Sequence, residues 1–141
     1  MFFYNGASQT ITQITDDSNG DNLRPVVSGE NIAWYGGHHA SREIFYFDGT
    51  STTQLTDNSW HDTRPQISGD KIAWTGQVDD QDTEVFYYDE TTQIVTQLTD
   101  NNLSDGGISI SGDQIAWVGR TTASPASGEI FVYDTVTQTT T

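Results

Sequence analysis

The chain has 141 residues, a formal net charge of −15 and no cysteine. The charge excludes nucleic acid and anionic membrane as predicted partners, because both bind through cationic protein surface. The lack of cysteine excludes disulfides and thiolate chemistry. Apolar residues make up 33% of the chain and occur in short runs, which predicts a folded repeat protein rather than a disordered acidic chain.

Several short strings recur along the chain at a nearly constant spacing. Ile-Thr-Asp ending at Asp16 returns as Leu-Thr-Asp ending at Asp57 and Asp100, at spacings of 41 and 43 residues. Ser-Gly followed by an acid, Ile-Ala-Trp, and Glu followed by an aromatic run also recur once per unit. A period of about 40–45 residues with several strands per unit is typical of a β-propeller blade.

The partial unit at the start of the chain matches the second half of a complete unit. Residues 2–5 match a third strand and residues 10–15 a fourth strand, and both precede the first complete copy. We therefore predict an all-β chain of four-stranded antiparallel blades, three and a half blades in all. The predicted divisions of this single propeller segment, 1–141, are a partial blade at 1–23 and blades at 24–63, 64–106 and 107–141.

Each complete unit is predicted to contain four strands, shown here for the second unit. Residues 64–68 form the first strand, and Gly69-Asp70 makes a tight turn into the second strand at 71–75. The third strand, 84–88, has apolar residues at consecutive positions, which indicates burial on both faces. The Thr-rich fourth strand, 92–99, is expected at the outer edge of the blade, where threonine suits an exposed strand.

The order of these strings resembles the TolB-type, WD-like β-propeller repeat. The resemblance rests on Leu-Thr-Asp-Asn, Arg-Pro, Ser-Gly-Asp, Ile-Ala-Trp and Glu-Val-Phe-Tyr-Tyr-Asp, and it covers essentially the whole chain. The chain departs from the pattern by lacking the proline of a Ser-Pro-Asp-Gly turn and by carrying Gly107-Ile108 where the other copies have Arg-Pro. The resemblance implies the blade architecture and an extracytoplasmic setting, periplasmic or secreted, but not a particular activity.

The predicted strands do not complete a ring. Propellers close with about 4–8 blades, and an open arc would leave one apolar blade face uncovered at each end. We therefore expect self-association into a closed propeller, with a homodimer favoured. The alternative is that the chain is a fragment or an engineered piece of a larger propeller.

Paired acids recur in the loop that leads into each first strand. Asp16, Asp57 and Asp100 each precede a second aspartate by five residues. Because the pair recurs in every copy, a structural role is favoured, in which the carboxylates accept backbone N–H groups. The first loop is nevertheless a calcium candidate through Asp16, Asp17 and Asp21, since calcium prefers such oxygen ligands; no other cofactor is expected.

The loops that vary between copies are the expected recognition surface. The connection from the repeated Trp to the repeated Glu grows from 9 to 10 to 12 residues, and Trp60 has no aromatic counterpart in the other units. Variable loops on a rigid scaffold are where binding residues are usually found. The candidate ligand-binding rim consists of Tyr35, His38, His39, Trp60, His61, Asp79, Asp80, Asp82 and Arg120.

These rim residues also have plainer interpretations. Trp60 could cap a neighbouring blade, and the aspartates could form a solvated acidic loop. The three histidines are more simply polar loop residues than ligands of a transition metal. Arg24 and Arg64 open the innermost strands at the mouth of the central channel, where pairing with the acidic loops is favoured over binding of an anion.

The sequence predicts binding rather than catalysis. It contains no Gly-x-Ser-x-Gly elbow, and its histidines have no evident Ser or Cys nucleophile beside them. We predict a non-catalytic propeller scaffold or binding module that recognises protein or glycan through its loop rim. The alternative function is that of an accessory propeller of a hydrolase, since TolB-type blades also accompany hydrolase domains.

Overall fold

The computed structural model describes residues 1–16, 20–38, 41–79, 82–120 and 127–141. These residues form one two-stranded hairpin followed by three four-stranded antiparallel sheets, in each of which the strands are neighbours in chain order. The all-β prediction of three and a half blades is thereby confirmed. The strands are β1 (Phe2–Asn5), β2 (Thr10–Gln13), β3 (Asp21–Ser28), β4 (Asn31–Gly37), β5 (Glu43–Phe47), β6 (Thr52–Gln54), β7 (Asp62–Ser68), β8 (Lys71–Gln77), β9 (Thr83–Asp89), β10 (Ile94–Gln97), β11 (Gly106–Ser111), β12 (Gln114–Arg120), β13 (Gly128–Asp134) and β14 (Thr139–Thr140).

The sheets pack face to face, and an apolar cluster fills each space between them. The first cluster joins the hairpin to the first blade (β3–β6), through Phe3 against Phe47 at 6.1 Å between ring centroids. The second joins the first and second blades, where Tyr46 meets Tyr88 at 6.1 Å. Because alternate residues of β5 and β9 point to opposite faces, both strands are covered on both sides, as their consecutive apolar residues predicted.

Within each blade, the repeated tryptophan on the second strand stacks on the phenylalanine opposite it on the third strand. The centroid distances are 5.7 Å for Trp34 with Phe45 and 6.0 Å for Trp74 with Phe86. In the third blade (β11–β14), Trp117 stacks on Phe131 at 5.9 Å. These are cross-strand pairs in register, so the strings Ile-Ala-Trp and Glu-x-Phe are two halves of one contact.

The repeated Ser-Gly turn connects neighbouring blades as well as neighbouring strands. Gly29, Gly69 and Gly112 have φ of 62°, 62° and 56°, which glycine adopts without steric cost. The Gly69 N–H donates to the Ser28 hydroxyl of the preceding blade at 2.9 Å, and the Gly112 N–H donates to the Ser68 hydroxyl at 2.9 Å. The same hydrogen bond therefore recurs at both boundaries between complete blades.

Equivalent positions are buried between two blades and exposed at the ends of the arc. Ile44 and Val85 are both 0% exposed, whereas their counterpart Ile130 on the third blade is 67% exposed. At the other end, Phe2 is 68% exposed, whereas its counterpart Phe45 is 8% exposed. At both ends of the described structure, apolar residues thus occupy positions that a neighbouring blade covers elsewhere.

Within the described residues, no helix is long and apolar enough to cross a membrane.

The hydrogen bond between blades predicts a position-dependent effect of a serine substitution. Ser68→Ala removes the acceptor of the Gly112 N–H and should lower the free energy of unfolding by about 1 kcal/mol. Ser111→Ala is the matched control, because Ser111 ends β11 at the equivalent position of the last blade that the structure describes. Urea unfolding should show a loss for the first variant only, and equal losses in both would contradict a specific link between blades.

Candidate functional site

The loops that enter β7 and β11 are built around a buried aspartate. The Asp62 carboxylate is 4% exposed and accepts from the Trp74 indole Nε1 at 3.0 Å and from Asn58 Nδ2 at 2.7 Å. Asp105 is also 4% exposed and accepts from Asn101 Nδ2 at 2.8 Å. The second aspartate of the predicted pair therefore binds side-chain donors in the loops that enter β7 and β11.

The first blade has an asparagine in this role. Asn22 Oδ1 accepts from the Trp34 indole at 2.8 Å, as Asp62 does from its own tryptophan. Asp21 is the neighbouring, exposed residue, so the five-residue spacing seen in the sequence assigned the role to the wrong position in this blade. A one-residue difference in loop length separates the two arrangements.

A glutamate near the start of the third strand is buried in the first and second blades. Its carboxylate accepts a backbone N–H from the loop that enters the next blade. Glu84 is 0% exposed, and its Oε1 accepts from the Asn101 backbone N–H at 2.8 Å. Burial raises the pKa of Glu84, and the nearby carboxylates of Asp82 and Asp105 raise it further. Burial likewise raises the pKa of Asp62, and the charge of Glu43 adds to the effect. The sequence indicated these glutamates only as strand-starting residues, because their burial depends on the next blade.

Trp60 lies beside an apolar pocket at the rim. The pocket, about 340 Å³, is lined mainly by apolar surface, and its walls include Trp60, Val78 and Val95. Trp60 is 37% exposed, and its backbone N–H donates to Asn58 Oδ1 at 2.7 Å. The Leu103 N–H donates to Asn101 Oδ1 in the same way at 2.8 Å. Two copies of this loop thus share one backbone arrangement and differ in the side chain that it presents.

Two residues of the predicted rim are buried instead of exposed. Tyr35 is 6% exposed and belongs to the core between the first and second blades, with the Arg42 guanidinium 5.4 Å from its ring centroid. Asp82 is 7% exposed. Their placement on an exposed rim was wrong: the second blade covers Tyr35, and Asp82 is buried at the end of the loop before β9.

The other described residues of the predicted rim are exposed or partly buried. His38, Asp79 and Arg120 are exposed. His61 is partly buried and pairs with Arg42 through an isolated parallel β-bridge, so its position is fixed by the backbone. His39 and Asp80 lie outside the described residues.

The described structure does not bring the three predicted calcium ligands together, because one of them lies outside the described residues. Asp16 and Asp21 are exposed, and Asp17 lies outside the described residues. Among the residues that the structure describes, no group of three or more His, Cys, Asp or Glu side chains is arranged to hold a metal ion.

The expected pairing of the two inner-strand arginines with acids is absent from the described residues. There, the ion pairs are those of Lys71, which lies 3.4 Å from Asp70 and 3.3 Å from Asp113 of the next blade. Arg24 and Arg64 form no ion pair within the described ranges. They instead line a common cavity on the inner side of the arc, with no carboxylate among its lining residues.

Comparison with known structures agrees with the blade architecture. A TolB structure from Acinetobacter baumannii matches 95% of the chain with a TM-score of 0.58 and 21% identity, and a TolB candidate structure from Agrobacterium tumefaciens matches 86% with a TM-score of 0.60 and 17% identity. An acylaminoacyl peptidase from Pyrococcus horikoshii matches 77% with a TM-score of 0.59 and 17% identity. The predicted resemblance to TolB-type propeller blades is confirmed as a likeness of fold.

The matched structures are considerably longer than this chain. The chain spans 34% of the A. baumannii protein, 50% of the A. tumefaciens protein and 18% of the peptidase. No protein-family model matches the chain, and no curated protein matches it.

The burial of Glu84 predicts an unusual dependence of stability on pH. A raised pKa means that the folded state binds the proton more readily than the unfolded state, so this residue stabilises the fold at acidic pH and that contribution is lost as pH rises through its folded pKa. Glu84→Gln should therefore increase the free energy of unfolding by about 1 kcal/mol near neutral pH, with a smaller gain at acidic pH.

The matched control is Glu129→Gln, at the equivalent but exposed position of the third blade. This variant should leave the free energy of unfolding nearly unchanged at both neutral and acidic pH. Urea unfolding at neutral and acidic pH provides the measurement, and a Glu84→Gln gain that is the same at both pH values would contradict the linkage.

Proposed function

We propose that this chain is a non-catalytic β-propeller scaffold. Its two end faces pack against the end faces of a second copy, and its rim recognises a protein or glycan. The observation that carries the proposal is the exposure of Ile130, 67%, at a position that is 0% exposed in both preceding blades. Burial of such a side chain contributes about 1.5–3 kcal/mol, so covering it favours association.

The two end faces differ, and each corresponds to one side of an interface that the structure already contains. The C-terminal end face consists of Val118, Ile130 and Val132, equivalent to the side of the first blade that packs on the second. The N-terminal end face consists of Phe2 and Tyr4, equivalent to the side of a blade that receives its predecessor. Contact between unlike faces is heterologous, and two copies joined at both ends form a closed dimeric ring.

A single charge on the C-terminal end face tests the association. Ile130→Asp should shift the chain from dimer to monomer in analytical ultracentrifugation at micromolar concentration, because the carboxylate would have to be desolvated in the interface. Val136→Asp is the control, since Val136 is 72% exposed in the turn between β13 and β14 rather than on this face. A parent chain that is monomeric at every concentration would overturn the self-association and favour the alternative, in which further blades of a longer propeller cover these faces.

Recognition at the rim is assigned to Trp60 and its pocket. An indole face partly open to solvent stacks on sugar rings or peptide side chains, and the adjoining pocket of about 340 Å³ supplies apolar surface beside it. The shared loop backbone of Trp60 and Leu103 shows that the fold accepts an aliphatic residue here. The loop conformation therefore does not require the tryptophan, which is specific to the second unit.

A substitution to the residue of the neighbouring repeat separates recognition from stability. Trp60→Leu should keep the free energy of unfolding within about 1 kcal/mol and weaken binding of glycan-array or pull-down ligands at least ~10-fold, since loss of an aromatic anchor costs about 2 kcal/mol or more. Leu103→Ala is the control at the equivalent loop and should leave binding unchanged. If every ligand bound the Trp60→Leu variant as well as the parent, recognition at this pocket would be refuted.

The setting and the alternative role follow from the fold likeness. We place the chain outside the cytoplasm, supported by its likeness to TolB structures. The likeness to 18% of an acylaminoacyl peptidase supports, as the second candidate, an accessory propeller that accompanies a hydrolase domain.

A further inference from the structure

The first strand of every complete blade contains a β-bulge at the same place. The register shifts by one residue between Leu23 and Val26 in the first blade, between Thr63 and Gln66 in the second, and between Gly106 and Ser109 in the third. A bulge changes the direction in which its side chains point and is common near binding sites.

The bulged residue has a left-handed backbone conformation in all three blades. Its φ is 49° at Arg24, 56° at Arg64 and 66° at Gly107. This region is unfavourable for a residue with a β-carbon, and glycine is the residue that adopts it freely. The third blade shows that glycine satisfies the fold, yet the first two blades carry arginine at the strained position. Positive φ at a residue with a β-carbon also recurs in the turns between third and fourth strands, at Gln9, Gln93 and Gln138. The strain therefore points to a site only together with the cavity that the two arginines line.

The two arginines line one cavity that runs along the first strands of all three blades. The cavity is about 400 Å³, and the other side chains around it include Gln66, Thr75 and Ile108. Both arginines are exposed. No carboxylate is among its lining residues, although 20 of the 141 residues of the chain are acidic.

The acid nearest to Arg64 along the chain is already hydrogen-bonded elsewhere. Asp62 precedes Arg64 by two residues, but its carboxylate is buried and accepts from Trp74 and Asn58. Lys71 provides the contrast, because it lies between two aspartates. In a chain of net charge −15, the two arginines that line this cavity form no ion pair within the described residues.

We propose that Arg24 and Arg64 form a binding site for a small oxyanion, a carboxylate or a phosphate, on the inner strands of the propeller. The planar guanidinium group donates two parallel N–H groups to such an oxyanion, and two of them enclose it from adjacent blades. The cavity accommodates a single anionic group or the end of a peptide. Long polyanions are disfavoured by the overall negative charge. This site is separate from the Trp60 pocket and does not depend on recognition at the rim.

Arginine side-chain NMR provides a direct test, because the chain has four arginines: Arg24, Arg42, Arg64 and Arg120. Titration of the intact chain with sodium phosphate, with acetate, and with a blocked peptide ending in a free carboxylate, all at constant ionic strength, should shift the Nε–Hε signals of Arg24 and Arg64 saturably. Arg42, stacked on Tyr35, and Arg120 serve as internal controls and should not shift. Saturation with phosphate alone would identify a phosphate site; saturation with the peptide but not its C-terminal amide would identify a carboxylate site.

Substitution to the residue of the third blade tests the role of the side chain. Arg64→Gly removes the guanidinium and relieves the positive φ, so the variant should fold with unchanged or higher stability and lose binding at least ~10-fold, as expected when one charged hydrogen-bonding partner is removed. Arg120→Gly is the charge-matched control and should leave binding unchanged. Equal shifts of all four arginines, no saturable shift with any of the three probes, or full binding by folded Arg64→Gly would each overturn the site.

Discussion

The structure depends on the packing of one blade face against the next. A single four-stranded sheet exposes apolar residues on both sides, and neither side is covered until a neighbouring sheet is present. Tyr46 against Tyr88 and Tyr87 against Tyr133, at 6.1 and 5.7 Å between ring centroids, show the same aromatic contact repeated at successive boundaries. Stability in such an arrangement is mostly a sum of contacts between nearest neighbours. A blade at the end of the described arc therefore lacks the stabilising contact that a second neighbour gives to an interior blade.

Polar contacts recur from blade to blade, as the apolar contacts do. The tryptophan indole needs an acceptor because it is buried, and the loop entering the first strand supplies Asp62 or Asn22. The equivalent loop into β11 is held by a buried glutamate of the second blade, Glu84, which accepts from the Asn101 backbone N–H. The recurrent acids are therefore mostly parts of the scaffold, and the residues that differ between copies become the informative ones for function.

Much of the fold could be read from the sequence, because the repeat period and the strand strings are local signals. The burial of Tyr35 could not, since it is decided by residues of the second blade that are distant in the chain. The role of Asn22 was hidden by a one-residue change in loop length. The bulges at Arg24 and Arg64 were missed because arginine gives no sequence signal for a positive φ; the glycine at the equivalent position, Gly107, was the available indication.

The hydrogen bond from the turn glycine to the serine of the preceding blade has an evolutionary consequence. Because Gly69 with Ser28 and Gly112 with Ser68 use the same positions, each unit carries both the donor and the acceptor for its neighbours. A duplicated unit inserted between two existing ones would find matching partners on both sides without any new substitution. Lineages with this repeat could therefore lengthen or shorten by whole units, with divergence confined afterwards to the side chains that no neighbour constrains.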